Sequence, residues 1–151
     1  MTASRFALRV DGAEVTVEAP GDATLLEVLR DRMQMTAVRF GCGQEGCGAC
    51  MVLVDGAPVF ACTQPADALE GRHVETVAGL PEDDPLIAAL LERQAAQCAF
   101  CLPGIVMSAR ALLARQPEPD RKEVLAALEP HLCRCGAHGR IVDAILSVAA
   151  S

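Results

Sequence analysis

The sequence predicts an α+β protein in two parts, a strand-rich N-terminal half with one short helix and a C-terminal half of four helices. Three observations predict it. Apolar residues alternate with polar ones on either side of two Asp-Gly dipeptides. After Gly79 the alternation stops at a polar, proline-bounded link of Pro81, Glu82, Asp83, Asp84 and Pro85. Beyond the link, apolar residues recur at helical spacing. Domains are therefore expected over residues 1–80 and 81–151.

Each element has its own signal. Phe6, Leu8 and Val10 alternate, Asp11-Gly12 supplies turn chemistry, and Val15, Val17 and Ala19 alternate again, a β-hairpin. Pro20 to Asp22 breaks that pattern, and Thr24 with Glu27 forms a capping box for a short helix of Leu25, Leu26, Val28 and Leu29. A loop with four glycines runs from Gly41 to Cys50. Met51 to Val54, Asp55-Gly56 and Pro58 to Cys62 read as a second hairpin, and His73 to Val77 as a further short strand. The four helices are marked by Leu86, Ile87 and Leu90; by Ile105, Ala109 and Leu112; by Val124, Leu125 and Leu128; and by Ile141, Ile145 and Leu146. Pro117 and Pro119 separate the second from the third, which Asp120 caps and Pro130 ends.

Composition removes several function classes. A chain of 151 residues holds one ordinary domain or two very small ones, which excludes a large multidomain enzyme. Four Phe and no Trp or Tyr leave a core of aliphatic residues and Met, and disfavour modules that stack bases on aromatics. A net charge of −7 repels phosphate, so nucleic acid is not an expected partner. Met1 to Val10 lacks the apolar core of a secretory signal. The sixteen uncharged residues between Arg93 and Arg110 include Gln94, Gln97, Pro103 and Gly104 and fall short of a membrane span. A chain in the reducing cytoplasm is expected, with any membrane association or export left to a partner. The mean hydropathy of +0.29 is high for so small a chain and points to an obligate partner.

Eight cysteines in a chain without a secretory signal point to metal or redox chemistry rather than disulfides. Cys42, Cys47 and Cys50 have the C-x4-C-x2-C spacing of plant-type ferredoxins, with Cys62 available as a fourth ligand to a 2Fe-2S cluster. Gly41, Gly43, Gly46 and Gly48 relieve crowding and let backbone N–H groups approach sulfur. A zinc knuckle fits this spacing poorly. The other four are Cys98-x2-Cys101 and Cys133-x-Cys135, each pair at a helix boundary, and by spacing alone they suit either a second cluster or a four-thiolate zinc site. The division into four and four with none left over favours a two-cluster electron carrier.

Three stretches carry a family resemblance: GCGQEGCGACMVLVDG from Gly41, QCAFCLPGIVMSARALL from Gln97, and LCRCGAHGRI from Leu132. They resemble the signatures of the small iron-sulfur subunit of the molybdenum hydroxylases, the xanthine dehydrogenase and aldehyde oxidase superfamily, over nearly the whole chain. The look is nearest to the small subunits of nicotinate and isoquinoline dehydrogenases. The resemblance implies a β-grasp ferredoxin-like domain followed by a four-helix bundle, with one 2Fe-2S cluster in each. It implies a molybdopterin-binding large subunit that hydroxylates an N-heterocycle or oxidises an aldehyde, while this chain, itself non-catalytic, carries electrons to a cytochrome c or FAD acceptor. By the same resemblance Cys98, Cys101, Cys133 and Cys135 hold the cluster nearer molybdenum, Cys42, Cys47, Cys50 and Cys62 hold the one nearer the exit, and Gln97 and Cys135 contact the pterin. The alternative is a free-standing ferredoxin-like carrier, against which the added helical half argues.

Departures from the family pattern leave every thiol in place. Arg39 stands where Lys is common, Met51 for Thr, Ala99 for Gly, and Gly136-Ala137-His138 for Thr-Gly-Tyr. His73, His131 and His138 are expected to be structural, with tuning of a cluster potential the other role open to the last two. Met33, Met35, Met51 and Met107 are expected to fill core. Arg134, between two cysteines, suits an interface salt bridge or a cation beside a cluster.

Overall fold

The computed structural model describes residues 2–149. The first hairpin pairs β1 (Ala3–Val10) with β2 (Ala13–Pro20), antiparallel, from Ala3 opposite Pro20 to Val10 opposite Ala13. Its turn has positive φ at both Asp11 (48°) and Gly12 (84°), the type I′ geometry whose twist matches the strands. Period-2 alternation buries Phe6, Leu8, Val10, Val17 and Ala19 on one face. The capping box forms as expected, with Glu27 N–H donating to Thr24 Oγ1 and Thr24 N–H donating to the Glu27 carboxylate at 2.7 Å. The helix behind it is brief. α1 (Leu25–Glu27) widens at once into a π-helical turn over Val28–Arg32, which keeps Leu25, Leu26, Val28 and Leu29 buried against the sheet.

The second hairpin joins β3 (Met51–Val54) to β4 (Ala57–Phe60) through another turn with positive φ at Asp55 and Gly56. The strand stops at Phe60, so Cys62 lies beyond it in a turn, not within it as expected. β5 (His73–Glu75) is also shorter than expected, because Thr76 caps a 3-10 turn over Val77–Gly79. β5 sits at the sheet centre, parallel to β1 and antiparallel to β3, giving the order β2-β1-β5-β3-β4. Pro58, which has no N–H to donate, is tolerated because β4 is an edge strand.

The helical half contains α2 (Pro85–Glu92), α3 (Leu102–Arg115), α4 (Arg121–Leu128) and α5 (His138–Ala149). Their inward faces form a core in which Leu86, Ile105, Leu128, Ile141 and Ile145 are at most 2% exposed. Asp84 caps α2, accepting from the N–H groups of Leu86 and Ile87, and its other oxygen takes the Arg110 guanidinium of α3. That buried carboxylate is thus fully partnered. Asp120 caps α4 in a second capping box.

The halves are joined by more than chain continuity. Met107 and Ala111 of α3 pack on Leu53 of β3, flanked by Val77 and Leu80. The Asp11 carboxylate accepts from Thr76 N–H and Thr76 Oγ1, both at 2.7 Å, and a Cβ on Gly79 would collide with it. The methionines expected in the core behave so, Met51 and Met107 buried and Met33 and Met35 packed at its edge.

Candidate metal centres

The loop from Gly41 to Cys50 holds three thiols in a short, wound path that only glycine-rich backbone allows. Gly48 has φ 74°, and a Cβ on Gly41 would lie 2.6 Å from Cys47 Sγ. Gly46 N–H donates to Cys42 Sγ at 3.0 Å and Gln44 N–H at 3.4 Å. The Gln44 N–H, with Gly46 and the Cys47 side chain, pulls the Cys42 thiol down to about 7 against the opposing effect of burial. Cys50 sits in the core, and burial with Cys62 beside it pushes its thiol up to about 12. Phe60 ends β4 and the turn after it delivers Cys62 to Cys50.

The other thiols come from two segments far apart in sequence. Cys101 occupies the N-cap of α3, ahead of Pro103 in the first turn, and Cys98 precedes it in a loop with Ala99 held at φ 60°. Cys133 and Cys135 lie between α4 and α5, where Gly136 turns at φ 72°. Cys135 Sγ is 3.4 Å from Cys98 Sγ, and Gln97 Nε2 donates to the Cys135 carbonyl at 3.2 Å. Gln97 lies in a loop beyond its helix, not at the helix boundary expected for the Cys98-x2-Cys101 pair: α2 stops at Glu92, where Arg93 caps it and Gln94 turns the chain with φ 48°. Its exposed side chain ties one thiol loop to the other.

In this quartet each pair couples one lowered thiol to one raised thiol, Cys98 to Cys135 and Cys133 to Cys101. The Phe100 N–H and the Cys135 side chain lower Cys98, whereas burial, with Cys133 alongside, raises Cys101 to about 12. Burial alone would raise Cys133, but the N–H groups of Ala137, Cys135 and Gly136 together bring it down. Cys135 is lowered by the Cys98 backbone but raised more by the Cys98 thiol, by burial and by nearby Cys133.

The eight thiols meet in pairs: Cys42 with Cys47, Cys50 with Cys62, Cys98 with Cys135, and Cys101 with Cys133. Among the described residues no three His, Cys, Asp or Glu side chains converge on a single-ion position. A mononuclear zinc site needs four equivalent neighbours around one point, whereas a 2Fe-2S rhomb takes two thiolates at each end. Pairs, with amide N–H groups aimed at sulfur, fit the rhomb.

The two quartets are pressed against one another. Leu132 N–H donates to the Cys47 carbonyl at 3.0 Å. A Cβ on Gly104 of α3 would overlap the Gly48 carbonyl, and one on Gly48 would overlap the His131 ring. His131, 3% exposed, bonds Ser108 Oγ through Nε2 at 2.7 Å, and burial, with His138 nearby, lowers it to about 4, so it is neutral at pH 7. The Arg39 guanidinium lies over the Phe100 ring, 5.7 Å from its centroid. Gly104 and Ser108 carried no sequence signal beyond small residues at i and i+4 on one helix face. His73 lies by Glu75 at the surface and Arg134 is exposed.

Comparison with known proteins agrees with this arrangement. A 2Fe-2S iron-sulfur cluster binding domain family matches residues 8–81, and a second 2Fe-2S binding domain family matches 76–146. One of the nicotinate dehydrogenase subunits of Pseudomonas putida is 38% identical over 143 residues, covering 93% of this chain and 91% of that protein. The nicotine 6-hydroxylase small subunit of Paenarthrobacter nicotinovorans is 39% identical, covering 92% and 86%. The crystal structure of quinoline 2-oxidoreductase from Pseudomonas putida 86 superposes with a TM-score of 0.93 at 34% identity, over 99% of this chain and 94% of that one. Two successive 2Fe-2S-binding folds, shared end to end with such subunits, place this chain in the family of small iron-sulfur subunits of the molybdenum hydroxylases, as a non-catalytic part of an oxidoreductase.

Proposed function

We propose that this chain carries two 2Fe-2S clusters and relays electrons from a molybdopterin-containing large subunit to an external acceptor, a cytochrome c or a flavin. Cys42, Cys47, Cys50 and Cys62 hold one cluster; Cys98, Cys101, Cys133 and Cys135 hold the other. When bound, each supplies a one-electron couple. The chain's own residues do the rest. N–H groups of Gln44, Gly46 and Ala137 favour added negative charge at sulfur, and the buried inner thiols keep water from one side of each site.

The observation that carries the reading is the hydrogen bond from Leu132 to Cys47, because it joins a residue next to one quartet directly to a member of the other. Polarity follows from exposure. Gln97, Cys98 and Phe100 form an exposed run beside half-exposed Cys135, the face we assign to the pterin, with Gln97 and Cys135 in contact with it. An open groove of about 670 Å³ borders Cys42 and Cys62, the side we assign to the exit. The substrate of the large subunit is an N-heterocycle or an aldehyde. A cytoplasmic location goes with this reading; among the described residues no helix is long and apolar enough to cross a membrane.

The test is direct. Purified protein should be red-brown, contain about four iron atoms per chain and show two distinct 2Fe-2S EPR signals on reduction. Without Trp or Tyr, cluster bands should dominate its near-ultraviolet spectrum. Stoichiometric zinc with no iron would refute the proposal. In the assembled enzyme, Gln97→Ala should retain both clusters but slow their reduction by substrate or loosen molybdopterin; unchanged kinetics and molybdenum content would confine Gln97 to tying the two thiol loops.

A further inference from the structure

His131 is buried where the Cys47 loop, α3 and the end of α4 meet, and the electron-relay reading gives it no task. Its backbone N–H donates to Leu128 O at 2.9 Å, anchoring it to the end of α4. Its ring bonds Ser108 on α3 at 2.7 Å and turns its Nδ1 edge to the Gly48 backbone, with Nδ1 lacking a hydrogen bond of good geometry. The next residue, Leu132, gives its N–H to Cys47, and the one after that is Cys133.

α3 acts as a rail for this contact. It carries Cys101 at its N-cap, Gly104 against the Gly48 carbonyl and Ser108 one turn further on, against the ring. Gly48 is thus held from two sides, by a helix that must have no side chain at position 104 and by an imidazole that fills the space a side chain at position 48 would need. A ring with one strong hydrogen bond has a defined orientation, which an aliphatic filler of the same size would lack.

We propose that His131 is a positioning residue for transfer between the two sites: held by Ser108 and wedged on Gly48, it keeps the Leu132 N–H on the Cys47 carbonyl and so fixes the coupling of one iron-sulfur centre to the other. The inference rests on the two-cluster reading above. Ser108 is its second member. No proton moves in this role.

The experiment uses the full chain isolated with its iron, reduced, and compared with His131→Ala, Ser108→Ala and His131→Gln. Iron content reports the sites, mutual splitting of the two EPR signals reports their coupling, and amide hydrogen exchange at Leu132 reports the bond to Cys47. In His131→Ala the splitting should narrow or vanish and Leu132 should exchange about tenfold faster, the effect of losing roughly one hydrogen bond's free energy. Ser108→Ala, which keeps the ring, should move both readouts in the same direction by less. His131→Gln, whose amide can reach Ser108, should restore them in part. Unchanged splitting and exchange in His131→Ala would overturn the proposal, and so would a Gln variant no better than Ala, since the side chain would then only fill space. If His131→Ala loses iron, Ser108→Ala decides, an unchanged splitting counting against the proposal. Two signals with no mutual splitting in the unmutated protein would overturn this inference alone, whereas a single signal or bound zinc would overturn the two-cluster reading itself.

Discussion

The two thiol sites are alike in plan and opposite in construction. Each has an outer pair near solvent, Cys42 with Cys47 and Cys98 with Cys135, and an inner pair reaching into a core. The first is specified locally: three thiols sit in ten residues, glycines shape the path, and N–H groups two and four residues from Cys42 aim at its sulfur. The second exists only when the α2–α3 loop and the α4–α5 loop are brought together across 31 intervening residues, and an amide from Gln97 to Cys135 helps to tie them. Local construction makes the first site depend on backbone conformation. The second depends on the packing of four helices.

The largest effect that would break this contrast comes from the thiols themselves. Cys47→Ser should abolish only the first EPR signal and Cys101→Ser only the second, each leaving about half the iron; loss of both signals from one change, with the fold intact, would mean that the quartets do not act separately. Next is Ile145→Ala, which removes a fully buried side chain of the helical core and should cost about 2–5 kcal/mol. Absorbance followed through a urea titration should then show the second site bleaching at lower urea than the first. Simultaneous bleaching would make the molecule one cooperative unit.

Smaller changes sharpen the comparison. Ala99 stands at φ 60°, where an L side chain costs about 1–2 kcal/mol and glycine forgoes roughly half of that in unfolded-state entropy, so Ala99→Gly should stabilise by up to about 1 kcal/mol. Gly136→Ala, at φ 72° with open space around it, should destabilise by about 1 kcal/mol. Thermal unfolding reads both. The smallest effect belongs to Asp55, lowered below its ordinary 3.8 by the His73 N–H and then by Arg72. Because the folded-state value is depressed, its contribution is present above the ordinary carboxylate range and lost as pH falls through it. Asp55→Asn should therefore melt slightly earlier than the unmutated chain at pH 7, and the two should converge in acid.

What the sequence shows and what it hides follow the same divide. Asp11-Gly12 and Asp55-Gly56 announce their hairpins because a type I′ turn needs positive φ at two successive positions, and few dipeptides supply it. The capping boxes at Thr24 and Asp120, and the four helices, are equally local. The C-x4-C-x2-C loop is legible for the same reason. Hidden are β5 at the sheet centre, the π-turn after Glu27, the short strand that leaves Cys62 in a turn, and Gln97 beyond its helix. Each is decided by a partner distant in sequence, which no periodicity records. The seam of Gly48, Gly104, Ser108 and His131 is hidden most thoroughly, because four unremarkable residues acquire meaning only when three segments meet.

The clasp of Asp11 on Thr76 has a consequence for biosynthesis. Every group in it, with the glycine it presses on, lies within the first 79 residues, and β5 reaches its place between β1 and β3 in the same stretch. A nascent chain can close it before α2 has left the ribosome, since domains fold from the N-terminus as they emerge. The segment from which the four helices hang is then already bolted to the sheet, and the later half is assembled on a mounted base instead of searching for one.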